Sequence, residues 1–166
     1  RIDPGGAARM TRSVLFVCTG NTCRSPMAEH FFIKLSREAG LSVTASSAGT
    51  QAAYGMPLSR GAASVFAARG IGPVEHRARR VDRALLDGAD AVYVMERAHR
   101  DELLIRFPES AAKIAVLREA AGLKPLDVED PVGADAAGYA ACASSIEEAL
   151  KIIVPREKES YAPNPR

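Results

Sequence analysis

In the stretch VLFVCTGNTCRSPMAE (Val14–Glu29) five residues separate Cys18 from Arg24, with Gly20 and Asn21 among them. A loop this short, between a strand end and a helix start, can curl so that successive backbone amides point inward. With the helix N-terminus they form a nest that binds an anion about the size of phosphate. Gly20 and Asn21 are among the few residue types that tolerate the left-handed backbone such a curl demands. Arg24 adds a planar fork that matches two phosphate oxygens. The same field acts on Cys18. A free thiol ionises near pH 8.5, and helix N-termini and neighbouring cations bring this down to roughly 3.5–7.5. Cys18 is therefore expected as a thiolate at neutral pH, placed to attack phosphorus and form a phosphocysteine. Ser25 offers a hydroxyl to that sulfur when it becomes the leaving group.

Such a reaction needs a general acid for the departing group and then a base for the attacking water. The segment EDPVG supplies Asp130, and the following Pro131 biases it toward extended backbone and stiffens a carboxylate held over a pocket. Asp-Pro is equally ordinary turn chemistry, so by itself it leaves both readings open.

The elements that must position these groups alternate along the chain. SVLFVC (Ser13–Cys18) is an almost continuous apolar run, as for a strand buried on both faces. PMAEHFFIKLSREA follows with helical spacing of Met27, Phe31 and Leu35, a proline in its first turn and Gly40 as a stop. Further strands are predicted at Ser42–Gly49, Asp90–Met95 and Lys113–Leu117. Further helices are predicted over LSRGAASVFAARG, VDRALLDG and ERAHRDELLIRF, and over Ala136–Ile153. The aperiodic REAAGLKPLDVEDPVGAD joins the last strand to the last helix. Alternation of this kind argues an α/β fold with a parallel sheet and helices on both faces. Ligands in such folds bind beyond the carboxyl ends of the strands, where strand order reverses, and Cys18 ends the first strand.

A chain of 166 residues suits one domain with a proper core. Its net charge of +2 gives no general affinity for polyanions, so no nucleic-acid partner is expected. No apolar run is long enough to span a membrane and no signal-peptide pattern is present, which makes a cytoplasmic protein the default. Three cysteines, Cys18, Cys23 and Cys142, cannot form a disulfide scaffold and invite a catalytic or redox reading. Residues 1–9, RIDPGGAAR, read as a vector-derived leader ahead of Met10. The domain proper spans 10–154, and the charged, proline-bearing 155–166 reads as a frayed tail.

VCTGNTCRSPMAE resembles the phosphate-binding loop of the low-molecular-weight protein tyrosine phosphatases. SSAGT (Ser46–Thr50), GIGPVEHRARRV (Gly70–Val81), VMERAH (Val94–His99) and EDPVG resemble later landmarks of that family in the same order. The resemblance implies a doubly wound four-stranded parallel sheet in flavodoxin-like order, no metal and no cofactor. By position, Cys18 resembles the nucleophile, Arg24 the phosphate clamp and Asp130 the general acid. Thr19, Gly20, Asn21, Thr22, Cys23 and Ser25 fall in the substrate-binding loop. Asn21, Ser25, Ser47 and His76 fall where the family has a network that props that loop. Cys23 matches a second loop cysteine, able to form a reversible disulfide with Cys18 under oxidation. The implied partner is a phosphorylated protein, and the implied form a monomer.

The departures from the family concern substrate. Val132 and Gly133 stand where many members have two tyrosines, and Ala53 stands where an aromatic often lines the pocket, with Tyr54 beside it. An aryl phosphate loses stacking worth about 0.5–1.5 kcal/mol for each missing ring. Thr22 stands where tyrosine-directed members carry an aliphatic, and here the chain resembles the bacterial protein-arginine phosphatases. Its hydroxyl could accept a hydrogen bond from a guanidinium. The resemblance thus leans to phosphoarginine, with phosphotyrosine as the alternative. A thioredoxin-coupled arsenate reductase would need two further cysteines close together, and a silent phospho-residue binder would need no general acid. Cys18, Cys23 and His30 do not match a zinc knuckle. His30 and His99 are expected as solvated helix residues, Cys142 as packing, and HRARR (His76–Arg80) as a solvated charge run or a basic docking patch.

Overall fold

A computed structural model describes residues 11–161. Four strands, β1 (Arg12–Cys18), β2 (Val43–Gly49), β3 (Ala91–Val94) and β4 (Ile114–Val116), form one parallel sheet in the order β2-β1-β3-β4. This is the doubly wound, flavodoxin-like order the family resemblance implies. Parallel pairing requires crossovers, and α1 (Arg24–Glu38), α2 (Arg60–Ala68), α3 (Arg83–Gly88) and α4 (Arg97–Arg106) supply them, while α5 (Leu117–Ala120) and α6 (Ala136–Tyr161) follow the last strand. A 3₁₀ turn, Pro108–Lys113, precedes β4.

The period of two along β1 divides the core. Val14, Phe16 and Cys18 pack with α1, α2 and α6, through Met27, Phe32, Phe66, Ile146 and Leu150. Leu15 and Val17 pack on the opposite face, against Leu86 of α3 and Leu103 of α4. Both faces of β1 are thus buried, which explains its continuous apolar run. The helix starts are readable in the caps: Ser59 accepts from the amide of Ala62, and Asp82 from that of Leu85. Gly40 and Gly70 have φ of 69° and 68° just beyond α1 and α2, where a left-handed residue ends a helix.

The structure departs from the sequence reading in three elements. α1 starts at Arg24, two residues before Pro26, which keeps the proline in the first turn where its missing N–H is not needed. α5 breaks out of the segment read as one loop. The final helix does not fray at 155 but runs through Pro155 to Tyr161. Tertiary contacts override the proline there. Glu157 is buried, accepts from the Tyr93 hydroxyl at 2.6 Å and pairs with Arg12 on β1, while Lys158 reaches the carbonyl of Ala39 at 2.9 Å. The leader at 1–9 and the stretch 162–166 lie outside the described residues. Among the described residues no helix is long and apolar enough to cross a membrane.

Candidate active site

Cys18 is the last residue of β1, so its side chain emerges at the carboxyl edge of the sheet, between β2 and β3, where strand order reverses. Thr19–Cys23 form the turn into α1. Asn21 carries the left-handed backbone, with φ of 53°, while Gly20 does not. The expectation for Gly20 is corrected in that respect. The glycine the loop does need is Gly49 at the end of β2. A Cβ there would lie 2.4 Å from the Thr19 carbonyl oxygen and 3.0 Å from the Asn21 amide. The loop therefore rests directly on backbone, with Gln51 N–H donating to the Thr19 carbonyl at 2.9 Å. SSAGT held this signal as a small residue at a strand end.

Every polar atom of the Asn21 side chain is engaged, and the pattern fixes its orientation. Its Oδ1 accepts from the Arg79 amide at 3.0 Å, so its Nδ2 is the donor to Ser25 Oγ and to Ser47 Oγ, both at 2.9 Å. Ser47 donates onward to Glu29 at 2.6 Å. The Ser25 oxygen is already accepting, which turns its hydrogen toward Cys18 Sγ at 3.0 Å or the Ala48 carbonyl at 3.3 Å. Asn21 N–H adds a bond to Cys18 Sγ at 3.3 Å. His76 Nε2 lies 2.5 Å from the Asn21 carbonyl oxygen. Asn21, Ser25, Ser47 and His76, proposed from resemblance, are thus brought together, joined by Glu29 and Arg79. Such over-determination is what holds a left-handed asparagine in place.

The three arginines of HRARR are exposed, as expected of a solvated charge run, but two of them are also tied to the loops around the site. Arg79 Nε also bonds the Ser47 carbonyl at 3.1 Å, and Arg80 bonds the Ala52 carbonyl at 2.8 Å while lying over the Tyr54 ring.

Arg24 is buried at the base of α1. Nη1 bonds the Glu96 carboxylate and the Val128 carbonyl at 3.0 Å, and Nη2 reaches Asp130 Oδ2 at 3.3 Å and Thr19 Oγ1 at 3.5 Å. One guanidinium thus ties the cradle, the start of α4 and the loop bearing Asp130 together. Asp130 itself stays 45% exposed, its Oδ1 accepting from the Val132 amide at 3.1 Å. Glu96 was not anticipated, although an acidic side chain directly after a buried strand, at the ligand-binding edge, was the available signal. His99 is not solvated: it is buried, its Nδ1 accepts from the Glu96 amide at 3.1 Å and its Nε2 lies 2.8 Å from Thr19 Oγ1. His30 is half-buried, its ring edge against Phe66 at 5.2 Å.

Electrostatics correct one expectation. Burial is the largest influence on Cys18 and pushes its thiol above the ordinary range, against the Ser25 hydroxyl, the amides of Ser25 and Asn21 and the Arg24 charge. Those donors limit the rise rather than reverse it. Cys23 is pushed up by the neighbouring Cys142 thiol and by burial. Cys142 packs in the core as expected, beside the second loop cysteine. His99 is pushed down by burial and by Arg24. No group of three His, Cys, Asp or Glu among the described residues is placed to hold a metal.

A buried cysteine at the carboxyl edge of a parallel sheet, bonded by the Asn21 amide and beside the Ser25 hydroxyl and a buried arginine, marks the site of a single-domain α/β protein. The family described as low molecular weight phosphotyrosine protein phosphatase matches residues 13–160, and the chain belongs to it. Low molecular weight protein-tyrosine phosphatase A of Mycobacterium tuberculosis is 40% identical over 143 residues, 82% of this chain and 86% of that protein. The protein-arginine-phosphatase of Geobacillus stearothermophilus is 36% identical over 138 residues, 83% of this chain and 90% of that protein. Among solved structures, a low molecular weight protein tyrosine phosphatase from T. tengcongensis superposes with a TM-score of 0.83 at 40% identity, covering 87% of this chain and 99% of that one. The chain is a hydrolase of the protein-phosphatase class.

Proposed function

We propose that this protein removes phosphate from arginine side chains of proteins through a phosphocysteine intermediate. The observation that carries the substrate choice is Thr22. Its side chain is half-buried in the cradle turn and carries a hydroxyl there. Such a hydroxyl can satisfy a guanidinium, whereas an aliphatic would leave that group's N–H unpaired on burial, at about 1–3 kcal/mol. The relatives carry both activities in their names at similar identity, so overall similarity does not discriminate.

In the first step Cys18 Sγ, as thiolate, forms a bond to phosphorus while the phosphorus–nitrogen bond breaks, and Asp130 gives its proton to the departing guanidino nitrogen. Arg24 and the loop amides hold the three non-bridging oxygens of the transferred phosphoryl group. In the second step Asp130 takes a proton from water, the water oxygen attacks phosphorus, and the sulfur leaves as thiolate with the Ser25 hydroxyl bonded to it. Phosphotyrosine is the second reading, favoured by Tyr54, which stands 71% exposed on the loop after β2.

Matched peptides bearing phosphoarginine or phosphotyrosine, assayed side by side, test the choice. Phosphoarginine should be released faster, Thr22→Ile should reverse the order, and Cys18→Ser should abolish both. Equal preference before and after Thr22→Ile would remove the specificity argument.

A further inference from the structure

Around Arg24 the hydrogen bonds close into a ring. The Glu96 carboxylate holds Nη1, and Thr19 Oγ1 lies 3.5 Å from Nη2. Glu96 N–H donates to His99 Nδ1 at 3.1 Å, and His99 Nε2 lies 2.8 Å from Thr19 Oγ1. The polarity of this ring is forced. A backbone N–H can only donate, so Nδ1 must be the unprotonated nitrogen, and the imidazole proton sits on Nε2, pointed at the Thr19 hydroxyl oxygen. His99 is only 4% exposed, so water does not substitute for either bond. One imidazole therefore bears on two of the four groups that hold the Arg24 fork, Glu96 through its backbone amide and Thr19 through its hydroxyl, beside the Val128 carbonyl and Asp130.

The geometry points to His99 as a positioning residue that sets the angle of the Arg24 fork over the oxyanion cradle by bracing Thr19 against the start of α4. This rests on the reading of the loop as a phosphate cradle, and not on which phosphorylated side chain enters it. A fork–oxyanion pair is sensitive to angle as well as distance, because both N–H bonds must align with two oxygens at once. Neither Thr19 nor Glu96 alone defines that angle: the Thr19 hydroxyl would rotate without its donor. Burial and the charge of Arg24 keep the imidazole neutral, the state in which Nδ1 can accept.

The test uses inorganic phosphate as the ligand, measured by calorimetry, so that no organic substrate is involved. His99→Asn places a carboxamide oxygen near the Nδ1 position, retaining the acceptor for Glu96 N–H, but is too short to reach Thr19. It should bind phosphate roughly ten-fold more weakly, the size of one lost hydrogen bond to a charged cluster, with the thermal midpoint little changed. His99→Gln, whose amide nitrogen reaches the Nε2 position, should recover part of that loss. Thr19→Val cuts the same bond from the other side without touching α4. It should weaken phosphate comparably, and His99→Asn added to it should weaken it no further. Nitrogen-15 spectra of the imidazole should show Nε2 protonated and Nδ1 bare. Unchanged phosphate affinity in Thr19→Val, or a protonated Nδ1, would overturn the assignment even if His99→Asn does not fold. Failure of the wild-type chain to bind phosphate would refute the cradle and this role together. A preference for phosphotyrosine would sink only the substrate reading.

Discussion

The loop that carries Cys18 and the loop that carries Asp130 meet at Arg24, and they are held in opposite ways. In the first, Asn21 is fully buried and each of its side-chain polar atoms has a partner, with Ser25, Ser47 and Arg79 locked around it. In the second, the backbone is fixed at Val128, whose N–H donates to the Met95 carbonyl and whose carbonyl accepts from Arg24. Beyond that point the side chains on either side of the buried Pro131 open to solvent: Asp130 is 45% exposed and Val132 73%. The difference follows from the two jobs. An oxyanion cradle works by having its dipoles already aligned, so it must be rigid and dry. A residue that passes a proton to a leaving group and later takes one from water must stay accessible to both.

The largest effect that could break this contrast is at Asp130. Asp130→Asn keeps the shape and the bond from the Val132 amide but removes the transferable proton. Turnover should fall by roughly 10²–10⁴ for substrates whose leaving group needs protonation. A strongly acidic nitrophenol leaving group should lose far less, and thermal stability should barely change, because the group is half in water. A uniform loss across leaving groups would instead make Asp130 a partner of Arg24, part of the rigid half.

Ser25 probes the rigid half at its centre. Burial pushes the Cys18 thiol up, and the Ser25 hydroxyl is the foremost influence holding it down. The attacking form is the thiolate, so removing a donor to it disfavours the charged state and raises the ionisation further. In Ser25→Ala the acid limb of the pH–rate profile should therefore move up by about one pH unit. Activity near neutrality should fall about ten-fold and recover at higher pH. A profile that drops in height without moving would place the Ser25 hydroxyl on the departing sulfur only, and not on the resting thiol.

How much of each loop was legible in the sequence follows the same division. The cradle could be read from five residues because its requirements are local: a strand end, a left-handed residue, an arginine and a helix start. The partners that hold it could not. Glu96, His99, Gly49 and Arg79 come from three other segments, and only the parallel order β2-β1-β3 brings them to one edge. Even there, Gly20 and Asn21 were both admissible in a left-handed conformation by local rules, and only Asn21 takes it. Asp130 was visible as Asp-Pro but indistinguishable from a turn until Arg24 was seen 3.3 Å away. Pro155 misled for the converse reason: a strong local stop was outweighed by the buried Glu157 two residues later. The Cys23–Cys142 contact had no local signal at all.

The smallest expected effect sharpens the contrast most directly, because it asks whether the open loop tolerates what the closed one would not. Val132 is mostly exposed, so replacing it by tyrosine disturbs little packing and should leave stability within about 0.5 kcal/mol. If its ring then reaches an aryl phosphate, stacking worth about 0.5–1.5 kcal/mol should lower KM for such substrates by roughly 2–12-fold, with kcat and phosphoarginine turnover little changed. Gly133 is the informative neighbour. Its φ of 79° suits glycine, and no atom lies within 4 Å of where a Cβ would stand, so tyrosine there is opposed by backbone strain and not by crowding. Val132→Tyr should therefore succeed where Gly133→Tyr loses stability. A fall in stability for Val132→Tyr equal to that for Gly133→Tyr would mean that the Asp130 loop is as tightly determined as the cradle, and the division between a fixed clamp and an open proton donor would fail.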